Sequence, residues 1–214
     1  TDFDYDQLKA ELARLEQAFP DAVVALGAES PTARVGDDRT EGFQRVKHRM
    51  AMTTLDNTYD EAELREFHAR LAKALGSDDL AYTVEPKIDG VAVSLTYEQG
   101  KLTRAVTRGD GEEGDDVTVN VRTIRGLPHA LAGAPRPEVI EIRGEIFLRE
   151  EEFRRINQQQ EEAGEAPYAN PRNLAAGTLK ALDAGFVAGR RLEIVLYGLG
   201  HCEPEVVTSQ RAYH

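Results

Sequence analysis

The chain has 214 residues and a formal net charge of −12, from 26 Lys and Arg against 38 Asp and Glu. Hydrophobic residues make up 41 %, enough for a sizeable buried core and too many for a disordered chain. No apolar stretch approaches the ~20 residues of a membrane helix and no signal-peptide pattern opens the chain, so a cytoplasmic protein with no membrane partner is expected.

Residues 5 to 19 place Leu8, Leu12, Leu15 and Phe19 at three- and four-residue spacing, an amphipathic helix stopped by Pro20. Residues 21 to 49, with their Gly, Ser-Pro and Asp-Asp signals, read as a connection. A second helix is expected from Thr58, which has capping-box spacing with Glu61, and it carries Leu64, Phe67, Leu71 and Leu75 before Gly76. The two apolar stripes are expected to pack together. From Ala81 the period shifts toward two, putting Glu85, Lys87 and Asp89 on one side of a strand. Val91, Val93 and Leu95 lead to a Gln99-Gly100 turn, after which 101 to 107 return as a hairpin partner. A strand follows at 139 to 148, then a helix at 150 to 163 with Phe153 and Ile156 inward, a shorter helix at 174 to 182, and a strand at 192 to 197. Antiparallel hairpins interspersed with helices indicate an α+β domain rather than a parallel doubly wound sheet.

The run around Lys87 sets a potential nucleophilic amine between two carboxylates. A lysine attacks only through its neutral form, about 0.04 % of an ordinary lysine at pH 7, so a catalytic site must favour deprotonation. Gly90 permits a tight turn and close approach to the backbone. The same residues also read as a charged strand edge closed by an Asp-Gly turn.

Gly109, Gly111 and Gly114 satisfy a literal Gly-x-Gly-x-x-Gly. The fingerprint needs an apolar helix facing a pyrophosphate, whereas Glu112, Glu113, Asp115 and Asp116 would bring negative charge toward it, so that reading is rejected. In 139 to 148, Glu141, Arg143, Glu145 and Phe147 share one face and Ile140, Ile142 and Ile146 the other. Cys202, the single cysteine, excludes an internal disulfide and a multi-cysteine zinc site. Histidines 48, 68, 129, 201 and 214 show no metal-ligand spacing and no triad partner, so no metal residue is named. The acidic balance is awkward for DNA, whose affinity rests on Lys and Arg at phosphates, and weak DNA binding is expected of this segment alone.

Several ordered motifs carry a resemblance. They are Asp-Phe-Asp-Tyr-Asp at 2 to 6, Ser-Pro-Thr-Ala-Arg-Val-Gly at 30 to 36, Thr-Leu-Asp-Asn at 54 to 57, Lys-Ile-Asp-Gly at 87 to 90 and Thr-Arg-Gly-Asp-Gly at 107 to 111. Val-Arg-Thr-Ile at 121 to 124, Arg-Gly-Glu-Ile-Phe at 143 to 147 and Asn-Pro-Arg-Asn at 170 to 173 follow. From nearly end to end the chain resembles the adenylation region of bacterial NAD-dependent DNA ligases. The resemblance implies a nucleotidyltransferase fold, related to ATP-grasp enzymes, of antiparallel sheets flanked by helices. It divides the chain into a partial helical domain at 1 to 43, recognising nicotinamide mononucleotide (NMN), and an adenylation domain at 44 to 214.

By the same resemblance, Lys87 attacks NAD to form lysyl-AMP and Asp89 orients it or approaches a Mg²⁺ ion. Glu85 and Arg108 bind the nucleotide, Glu145 accepts from ribose hydroxyls, and Thr54 and Leu55 touch the adenosine. Asp2, Tyr5 and Asp6 hold the NMN half, while Arg172 and Lys180 meet the backbone of nicked duplex DNA, Lys180 standing where an Arg is common. The family's later Asp-Gly-Val-Val-Ile-Lys motif and its following Lys motif are not in the sequence, nor is its four-cysteine zinc module. The isolated chain is therefore expected not to seal nicks and to self-adenylate slowly or not at all. An ATP-dependent ligase or capping-type enzyme is the enzymatic alternative, disfavoured by Thr-Leu-Asp-Asn and Asp-Phe-Asp-Tyr-Asp. A catalytically silent nucleotide-binding fragment is the other.

Overall fold

The computed structural model describes residues 2–26, 30, 32, 42–133 and 136–205, with the side chains of 2–6 and 24–26 left out. Helix α1 (Asp2–Ala18) ends before Pro20, as its sequence requires, but Pro20 then opens a second short helix, α2 (Pro20–Leu26). A proline fits the first turn because its missing N–H would have no helical partner there. The expected connection thus contains a helix, followed by strand β1 (Arg45–Lys47).

Helix α3 (Glu61–Leu75) is capped by Asp60 rather than Thr58: Asp60 Oδ1 accepts from the Glu63 N–H at 2.9 Å. Glu63 in turn accepts from the Tyr59 N–H at 2.7 Å. Its far end closes on Gly76 in the left-handed region, as expected. Among the described residues, the expected packing of the two stripes is not found. Leu8 and Leu75 are 71 % and 68 % exposed, with Leu15, Phe19 and Leu64 also on the surface. Helical spacing specifies an apolar face but not what covers it.

Residues 79–89 form no strand, which corrects the sequence expectation for Glu85, Lys87 and Asp89. Pro86 has no N–H for a ladder, and pairing begins only at Val91. From there β2 (Val91–Glu98) and β3 (Lys101–Thr107) make the expected hairpin through Gln99 and Gly100, both at positive φ. Strand β4 (Glu113–Asp115) pairs with β1, and helix α4 (Thr118–Val121) follows. Strand β5 (Val139–Phe147), helices α5 (Glu150–Glu162), α6 (Pro171–Leu179) and α7 (Ala184–Gly189), and strand β6 (Glu193–Glu203) complete the order.

The main sheet runs β3-β2-β5-β6, antiparallel throughout. Alternation gives it two unlike faces. Val91, Val93, Leu95 and Tyr97 on β2 join Ile140 and Ile146 on β5 in the core, where Ile156, Leu174, Leu179 and Val187 of the helices close over them. The opposite face is polar: Ser94 lies across from Arg143 and Thr96 across from Glu141. Lys47 and His48 of the small sheet's connection line a cleft against Ser94, Thr96 and Glu141. Among the described residues, no helix is long and apolar enough to cross a membrane.

Candidate active site

Glu85, Lys87 and Asp89 sit exposed on the irregular segment that feeds β2. Gly90, immediately after them, is buried against β5. A Cβ there would stand 2.2 Å from the Ile146 carbonyl oxygen, so only glycine lets the lysine segment lie this close to the sheet. The register pairs Val91 with Ile146 and Ala92 with Glu145, which brings Glu145 to the lysine segment.

Burial pushes the Glu145 carboxyl above the ordinary carboxylate range. Lys87, Arg172 and a hydrogen bond from the Gly90 N–H pull partly against that rise, while Asp89 adds to it. These opposing influences place Lys87, Asp89, Arg172 and Glu145 in one electrostatic neighbourhood. Arg172, in the first turn of α6, reaches Asp89 Oδ1 at 3.2 Å. Asn170 sets that turn by capping it, its side chain accepting from the Asn173 N–H at 2.7 Å.

Tyr197 on β6 joins from the other side. Burial raises its phenol above the usual range, Glu145 adds to the rise, and Arg143 and Arg108 oppose it. Arg108 stands at the end of β3, where its N–H donates to Ala92 O at 3.0 Å. The following turn explains the glycines of the rejected fingerprint: a Cβ on Gly109 would meet Glu113 O at 1.8 Å, and one on Gly114 would meet Thr107 O at 1.8 Å. They allow a tight chain reversal.

Arg143 donates through Nη2 to Met50 O and Ala51 O at 2.9 and 3.0 Å. The Met52 N–H donates to Gly111 O at 2.8 Å. Segment 50–52 is thereby pinned to β5 and to the β3–β4 turn, and Thr54 and Leu55 follow it on the surface. A cavity of about 400 Å³ between Ile124, Val187 and Leu192 includes none of these residues. The Lys87 cluster is an open surface site.

The structure therefore brings together Lys87, Asp89, Glu145, Arg172 and Arg108, with Glu85 on the same segment. It gives Lys180 different surroundings from a DNA-facing surface: its amine lies 3.3 Å from Asp115 Oδ2, with the two side chains 9 % and 0 % exposed. Asp2, Tyr5 and Asp6 lie on α1, and their side chains are outside the described residues. Sequence reasoning did not single out Tyr197, and it read Asp115 only as one of the acids of the glycine turn and Arg143 only on a strand face and within a motif. The signal for Tyr197 was a single aromatic at the end of an apolar strand, which is too common to single out.

A mixed α/β domain of antiparallel sheets and flanking helices, with a lysine beside arginines and a half-buried carboxylate, belongs to the nucleotidyltransferase class. A family model described as the NAD-dependent DNA ligase adenylation domain matches residues 40–214. "DNA ligase 1" of Opitutus terrae is 64 % identical over 206 residues, covering 95 % of this chain and 30 % of that protein. "DNA ligase" of Desulforudis audaxviator is 48 % identical over 94 % of this chain and 30 % of its own length. "DNA ligase" of Thermotoga maritima is 47 % identical over 95 % of this chain and 29 % of its own length. The chain belongs to the NAD-dependent DNA ligase adenylation domain family. It spans about 30 % of the length of these relatives, and no finding supports the ATP-dependent alternative.

Proposed function

We propose that this chain is the part of a DNA ligase that takes AMP from NAD. Lys87 Nζ, as the neutral amine, attacks the α-phosphorus of NAD; an N–P bond forms, the bridging P–O bond breaks, and NMN leaves with the electron pair. The amine's surplus proton passes to solvent, to which Lys87 is open. The observation that carries this reading is the convergence of Lys87, Arg172, Arg108 and the half-buried Glu145 at one place in a protein of net charge −12. Such chemistry rests on positioning and charge stabilisation around an in-line transfer, and this cluster offers both.

Glu145 is suited to accept from ribose hydroxyls because an ionised carboxylate offers only acceptors. Tyr197, beside it, offers an aromatic surface for a base. Glu85, Thr54 and Leu55 complete the adenosine contacts, Arg108 steadies the phosphates, and Asp2, Tyr5 and Asp6 on the segment 1 to 43 take the NMN half. Residues 44 to 214 form the adenylation domain. Among the described residues no cluster of three or more His, Cys, Asp or Glu gathers to hold a metal. Magnesium, however, commonly uses only one or two carboxylates beside substrate phosphates, and Asp89, exposed next to Lys87, fits that requirement. Bound there, Mg²⁺ would offset charge on the phosphate oxygens.

In the whole protein the AMP then passes to a 5′-phosphate at a nick in duplex DNA, with Arg172 toward the DNA backbone, and a 3′-hydroxyl displaces it in replication and repair. The test is intact mass spectrometry after incubation with NAD and Mg²⁺, beside ATP and a Lys87→Ala variant. One AMP added from NAD, none from ATP and none in the variant is the expected result. An adduct that persists in Lys87→Ala overturns the nucleophile, and loading from ATP alone overturns the donor.

A further inference from the structure

Lys180 closes the C-terminus of α6, and its partner Asp115 ends β4. A buried ion pair is a poor source of net stability, because desolvating both charges offsets most of their attraction. What it can supply is geometry. At the same end of α6, Asn120 Nδ2 donates to Leu179 O at 2.7 Å and to Ala181 O at 2.8 Å, so the last turn is held twice. Asp115 is itself placed by the β3–β4 turn, its N–H donating to Thr107 Oγ1 at 3.1 Å, next to Arg108. The opposite end of α6 carries Arg172 to Asp89 beside Lys87. A helix of nine residues is a stiff rod of about 14 Å, so fixing one end fixes the other.

We infer that Asp115 and Lys180 are a positioning pair that locks α6 to the β3–β4 turn, so that Arg172 and Arg108 reach the lysine site in fixed register. The catalytic consequence rests on the proposed role of Lys87; the structural coupling does not. A phosphate contact by Lys180 would require it to leave Asp115.

Arg172 provides the readout. Its side-chain N–H resonance, assigned by its loss in Arg172→Lys, reports pairing with Asp89 whether or not the chain reacts with NAD. Asp89→Asn and Lys180→Met are each expected to move that resonance. Lys180→Arg is expected to leave it in place, and Asp89→Asn combined with Lys180→Met to add nothing to Asp89→Asn alone. AMP loading should fall roughly 10- to 100-fold in Lys180→Met, the scale of an ångström-level misplacement, and Arg172→Ala should not multiply that loss. If Lys180→Met fails to fold, Asp115→Leu with Lys180→Met removes the link without stranding a charge and should give the same displaced resonance. A folded uncoupled variant whose Arg172 resonance stays at the wild-type position overturns the inference, as do multiplicative losses in AMP loading. Absence of loading in the wild type counts against the proposed function alone, and the resonance then decides the coupling.

Discussion

Glu145 shows how one half-buried carboxylate couples the proposed site to the stability of the chain. Its pKa is raised by burial, so the folded state holds the proton more tightly than the unfolded chain. The stabilising contribution is therefore fully present below the unfolded value and is lost as pH rises through the folded one. Glu145→Gln cannot titrate, and comparing the two proteins isolates this term. The expected outcome in urea denaturation is that wild type gains stability relative to Glu145→Gln as pH falls from 7 toward 4. A difference independent of pH would show that the carboxyl is not desolvated as its position requires. Lys87 and Arg172 limit the effect, since both favour the ionised form. That compromise would suit the proposed role of accepting from ribose hydroxyls, since nearby cations favour the ionised form while burial excludes competing water.

At the scale of elements, legibility in the sequence followed how far each signal was local. The β2–β3 hairpin, β5, α5 and the glycine cap of α3 follow from alternation, helical spacing and turn chemistry, and these appear where expected. Helices α2 and α7 and strands β1 and β4 are too short for a period to develop, and β1 and β4 exist because they pair with each other across a long stretch of chain, from Lys47 with Glu113 to Arg45 with Asp115. The lysine segment failed as a strand because Pro86 removes a donor, a tertiary edge having no partner for it. In the candidate site, Lys87, Asp89, Glu145, Arg108 and Arg172 were named from motifs, whereas Tyr197 and the Asp115–Lys180 pair depend on register and burial. The same distinction separates the apolar stripes. Ile156 of α5 is 0 % exposed in the core and Leu75 of α3 is 68 % exposed, although both lie on helical stripes. Ile156→Ala is expected to cost about 2–5 kcal/mol and Leu75→Ala to stay within about 0.5 kcal/mol. Equal losses in thermal or urea unfolding would mean that α3 has a packed partner after all.

For the whole molecule, the tension lies between a net charge of −12 and the proposed nucleic-acid substrate. Each Lys or Arg that neutralises a phosphate releases counterions and contributes about −0.9 to the slope of log K against log salt. Here the cations near the site are few and already engaged, Arg172 with Asp89 and Arg143 with the 50–51 carbonyls. The fold engages them in internal positioning. Long-range repulsion from the surrounding acids further slows encounter with DNA, most strongly at low salt. The chain alone is therefore expected to bind a nicked duplex weakly, with a shallow salt slope. Arg172→Ala should flatten the slope by about one unit if that guanidinium leaves Asp89 for a phosphate, and Lys180→Met should leave it unchanged. Titration of a fluorescent nicked duplex across salt concentrations measures both. Tight binding with a steep slope would mean that cations outside this cluster carry the DNA, and that the lysine site is presented to the nick from a different surface.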